Sequence, residues 1–122
     1  MSGFNLPLNL PHAATVARRI LHHLRGRGAP LEAQERVAAL IVLLEPWRDL
    51  EDNGPAEAAE QARQSAAAIG RLVVADIEAC GVGYDRLGQA VRNLFECLGM
   101  GQEGAELSLR AGENPDSALR PT

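Results

Sequence analysis

Aromatic side chains are scarce in this chain. Phe4, Trp47, Tyr84 and Phe95 are the whole set, 3% of 122 residues, so a core has to be filled by Leu, Val, Ile and Ala. Elements faced with such small side chains can approach one another closely. Lysine is absent, and all twelve strongly basic residues are arginine; we read this as the codon usage of a GC-rich bacterial or phage genome, not as a functional signal. Two cysteines, Cys80 and Cys97, are too few for a disulfide framework and suit a reducing compartment. No apolar run approaches the roughly 18 to 20 residues that cross a bilayer, and no compact apolar segment with a small-residue cleavage site opens the chain. The expectation is a cytoplasmic protein with no membrane span.

Carboxylates are missing before Glu32, whereas Arg18, Arg19, Arg25, Arg27 and all three histidines lie in that opening stretch. From Pro55 onward ten acids face six arginines, which accounts for the whole net charge of −4. The chain is therefore basic at its start and acidic in its second half. Its length suits one domain, which buries roughly two-thirds of the surface its unfolded chain exposes.

Apolar residues make up 46% of the sequence and recur at helical spacing. Residues 1–9, with Pro7 and two asparagines among Phe and Leu, read as an extended arm. Asn9 can cap a first helix with Pro11 in its first turn, and Ala13, Val16, Ala17, Ile20, Leu21 and Leu24 then share one face until GRG at 26–28 stops it. Pro30 opens a second helix that Pro46 bends or ends near Trp47. After the acidic turn DLEDNGP, a third helix carries the stripe Ala62, Ala66, Ile69, Val73, Ile77 and Cys80 to a stop at Gly81. A fourth presents Leu87, Val91, Leu94 and Leu98 and ends at Gly99. Residues 100–122 are polar, Gly-rich and Pro-punctuated, and read as a disordered, flexible tail. The spacing predicts an all-α protein, a four-helix antiparallel bundle with helices over about 10–25, 30–46, 55–80 and 84–98, in which residues 10–99 form the domain.

Residues 37–44, VAALIVLL, are apolar on every side of the second helix. A bundle helix normally keeps one exposed face, so this one is expected to be the central helix, touching the most neighbours, with its remaining side covered by the amino-terminal arm and Trp47 or by a second chain. Val37, Leu40, Ile41 and Leu44 form the stripe a bundle would use, which leaves Leu43 over.

Chemistry-bearing motifs are thin. GMGQEG at 99–104 matches GxGxxG, but a helix precedes it where a nucleotide fold needs a strand. His12, His22 and His23 all lie on the first helix and diverge too far to hold one ion, and the basic side of that helix is expected to meet acids of this chain or a partner. Cys80 and Cys97 lie roughly 20 Å apart along antiparallel helices, beyond the reach of a disulfide, and read as buried structural thiols. Asp76, beside the apolar stripe of the third helix, is expected at a solvated margin or paired with an arginine of helix 1 or 4. No nucleophile, base and orienting group come together, so no enzyme activity, cofactor or metal is expected.

The stretch IEACGVGYDRLGQAV, residues 77–91, is similar to the helix-turn-helix pattern of small transcription regulators, with Gly81 and Val82 in the turn. That resemblance implies DNA contacts from Arg86, Gln89, Arg92 and Asn93 on the following helix. It departs from the pattern in its long first helix, an extra glycine in the turn, and Asp85 where phosphates would lie. The acidic second half also opposes nucleic-acid binding.

The leading expectation is a non-catalytic helical protein–protein interaction module, either a homodimer or a small subunit or modulator of a larger assembly. Its contact residues are expected to be Phe4, Leu43, Trp47, Arg18 and Arg25. A helix-turn-helix regulator is the alternative.

Overall fold

The computed structural model describes residues 8–81 and 83–112. The expected contact residue Phe4, nearly all of the expected arm and the segment 113–122 lie outside them. The described residues form five helices and no strand: α1 (Leu10–Gly26), α2 (Leu31–Leu44), α3 (Ala56–Cys80), α4 (Asp85–Cys97) and α5 (Gly101–Gly112), with a 3-10 turn at Glu45–Trp47. None of these helices is long and apolar enough to cross a membrane.

The punctuation in the sequence sets the element ends. Asn9 accepts a hydrogen bond from the His12 amide at 3.1 Å, with a proline in the first turn. Pro46 turns the end of α2 into the 3-10 turn. Gly81 closes α3 in the left-handed conformation, at φ 67°, which costs glycine nothing.

α2 pairs with α1 and α3, α1 with α4, α4 with α5, and α5 returns to α3, so the helices close into a ring. The core is Ile20, Leu24, Val37, Leu40, Leu44, Val73, Ile77, Leu87, Leu94 and Phe95 with a lining of alanines. A void of about 10 Å³ sits where α1 to α4 meet, lined by Ile20, Val37, Leu40, Gly70, Val73, Val91 and Leu94. It is apolar and barely large enough for one water, so it stays dry.

Two expectations are corrected. The bundle has five helices, because residues 101–112, expected in the flexible tail, form α5. Three glycines made that segment look unstructured, yet α5 lies so close to α4 that its glycines are needed. A methyl at Gly104 would come within 2.7 Å of Phe95 Cβ, and one at Gly88 within 2.6 Å of the Ser108 carbonyl oxygen. Nor is α2 the most enclosed element: only Ala33, Val37, Leu40 and Leu44 are buried along it. α4 is the enclosed helix, held between α1 and α5 with seven of its thirteen residues buried.

Candidate interaction surfaces

The structure answers the question of VAALIVLL residue by residue. Val37, Leu40 and Leu44 enter the core, and Ile41 and Leu43 are half-buried against it. Ala38 and Ala39 are exposed, and Val42 is 73% exposed. Val42, not Leu43, is thus the outermost large apolar side chain of this run.

Leu43 lines an open groove of about 240 Å³ between the end of α2 and the start of α3, together with Trp47, Ala58, Gln61, Ala62 and Ser65. Trp47 is fixed at one end, its indole N–H donating to the Asn53 carbonyl at 2.7 Å. Asn53 in turn clasps the entry to α1: its side-chain oxygen accepts from the Leu10 amide at 2.8 Å and its NH2 donates to the Leu8 carbonyl at 2.9 Å. At the other end of the α2/α3 seam, Arg36 binds Asp76 at 2.6 Å. Asp76 therefore pairs with α2, not with helix 1 or 4. Leu72, further along α3, is 48% exposed.

Arg18 and Arg25 have different surroundings. Arg18 binds Glu45 at 2.8 Å, as expected of a basic helix side meeting acids of its own chain. Arg25 makes no ion pair among the described residues. On the other side of α1, the His23 ring meets Tyr84 edge-on with centroids 5.8 Å apart, and the Arg27 guanidinium lies 4.4 Å from the centre of the Tyr84 ring. His23 is pushed below the usual histidine pKa, first by partial burial and then by the neighbouring charges of His22 and Arg86.

Of the four residues that the helix-turn-helix resemblance singles out, Arg86, Gln89 and Arg92 are exposed and Asn93 is half-buried. Arg92 lies 3.5 Å from Glu96. Asp85, Gln89 and Glu96 share the outer ridge of α4, so acids sit at both its ends. The extra glycine of the turn has a packing reason, since a methyl at Gly83 would overlap the Ala111 carbonyl oxygen at 2.1 Å.

The cysteines are both free, and only Cys97 is buried; Cys80 is exposed, which corrects the expectation of two buried thiols. Burial pushes the Cys97 thiol up to about 11, so it is protonated and unreactive at neutral pH. No group of three or more His, Cys, Asp or Glu side chains among the described residues is arranged to hold a metal ion. The GMGQEG glycines shape a helix junction: Gly99 has φ 73°, Gly101 begins α5, and Gly104 admits Phe95.

Sequence reasoning missed the convergence of the end of α1 with the start of α4, because the two segments are some sixty positions apart and nothing local pairs them. No protein-family model matches the chain, and neither a curated protein nor a solved structure matches it.

Proposed function

We propose that this protein is a non-catalytic protein–protein interaction module whose docking surface is the α2/α3 groove. The observation that carries this is the groove built around Leu43 and Trp47, with Val42 standing 73% exposed beside it. An isolated exposed apolar residue needs no explanation. Here an anchored indole and a half-buried leucine border a trough, next to an exposed valine, and that combination suits the apolar face of a partner helix. The partner is a second copy of this chain or a subunit of a larger assembly.

Val42→Glu and Leu43→Glu test the reading. Val42 is almost solvated, and Leu43 lies at an open groove where a carboxylate can reach water, so neither change has to strand a buried charge. The expected result is loss of self-association by light scattering, or of a chain that co-purifies with the unaltered protein, with the helical circular dichroism unchanged. An unfolded Leu43→Glu chain together with a fully associating Val42→Glu chain would count against the groove as the docking surface.

The alternative, a helix-turn-helix regulator, has the exposure of Arg86, Gln89 and Arg92 in its favour. Against it stand Asp85 and Glu96 on the same ridge, and the sparse contact between α3 and α4, where that motif needs its two helices braced on each other.

A further inference from the structure

Arginine pairing in this molecule is uneven. Arg18, Arg36, Arg48, Arg63, Arg71, Arg92 and Arg110 each reach a carboxylate. The other described arginines, Arg19, Arg25, Arg27 and Arg86, reach no carboxylate among the described residues, and all four lie on the second half of α1, the turn after it, or the first turn of α4. Among the described residues, then, the arginines meet carboxylates except at one end, where His22 and His23 also lie. Like charges gathered without counter-charges repel one another; His23, whose proton affinity is lowered first by partial burial, is lowered further by the neighbouring charges of His22 and Arg86. Tyr84 holds the group together, with His23 against its edge and Arg27 over its face.

We propose that the α1/α4 seam, through Arg19, His23, Arg27 and Arg86, binds a short acidic segment of a partner protein. This surface is separate from the α2/α3 groove and stands independently of it. Its size favours a peptide: Arg19 to Arg27 spans roughly 12 Å of α1 at 1.5 Å per residue, the length of about four extended residues. Gln89 and Asn93 continue along α4 with neutral amides of the kind that satisfy a peptide backbone. A nucleic-acid duplex, which extends further along α4 than a four-residue segment, would also bring its phosphates toward Glu96.

The test uses the full chain and two fluorescent probes, an oligoglutamate and a single-stranded oligonucleotide of equal charge, followed by anisotropy at low and physiological salt. Oligoglutamate is expected to bind saturably and more tightly than the oligonucleotide. Arg27→Glu/Arg86→Glu should weaken it by about tenfold or more, since attraction becomes repulsion. The milder Arg27→Gln/Arg86→Gln pair should weaken it less, and Arg48→Glu/Arg63→Glu, with the same change in net charge, should leave it unaltered. Circular dichroism on each variant separates lost binding from lost fold. Leu43→Glu should retain oligoglutamate binding, which keeps this result distinct from that of the groove. Absence of saturable oligoglutamate binding, equal loss in the Arg48→Glu/Arg63→Glu control, or tighter binding of the oligonucleotide would each overturn the proposal.

Discussion

Gly70 lies against the ring of Phe95, and the absence of a side chain there makes room for that ring between α3 and α4. A methyl group would come to 2.8 Å from Phe95 Cε1 and 3.0 Å from Cζ, and the adjoining void of about 10 Å³ is too small to take the displaced ring. Gly70→Ala is therefore expected to destabilise the fold by about 1–3 kcal/mol, the usual range for overpacking, and to lower the thermal midpoint by several degrees. Gly26, at the end of α1, has nothing within 4 Å of the same added methyl. There Gly26→Ala should be neutral or stabilise by up to about 1 kcal/mol, by restricting the unfolded chain. Opposite signs in two thermal melts check the pair; a destabilisation of equal size at both positions would remove the close-contact account.

At the scale of the element, α5 is the attachment most open to perturbation. Two ion pairs tie it to α3 in parallel register, Arg71 with Glu103 at 2.6 Å and Arg110 with Glu78. Both carboxyl groups are held below the usual glutamate pKa, chiefly by the hydrogen bonds from their arginines. A carboxyl whose folded pKa is depressed contributes stability that is complete above its unfolded value. That contribution is lost as pH falls through the folded one. Acidification below the ordinary glutamate range should accordingly loosen α5 before the rest. Solvent screens these exposed pairs, so the effect is small and local. Hydrogen exchange should show α5 amides losing protection relative to α1 on going from neutral to acid pH, with Glu78→Gln/Glu103→Gln largely removing the difference. Uniform protection loss along the chain would show that the pairs do not govern α5.

For the whole molecule, the ring of five helices closes over a core of aliphatic side chains and one phenylalanine. No described cluster of ligands contributes to it. A domain of this length can be held by such a core alone. Far-UV circular dichroism is expected to be predominantly helical and unchanged by a chelator. A loss of helical signal on chelation would mean that a metal is part of the fold.

The sequence determined the helices whose signals are local. Asn9 with Pro11, Pro30, Pro46 and Gly81 act on their own turns, and the stripes of α1 and α4, and that of α3 apart from the exposed Cys80, reappear in or against the core because helical periodicity needs no knowledge of a partner. Other features were decided by residues far apart in the chain. α5 was illegible because Gly101, Gly104 and Gly112 weaken a helix considered alone, and their value appears only when Phe95 and Gly88 are placed against it. The exposed side of VAALIVLL could not be read from an unbroken apolar run, which has no polar face to mark an outside; the position of α3 turned Leu43 toward the groove and left Val42 in water. Likewise, which arginines find a carboxylate depends on which helices adjoin. Only the tertiary structure, by setting the last turns of α1 beside Tyr84 and Arg86, separated the paired arginines from the four that meet no carboxylate among the described residues.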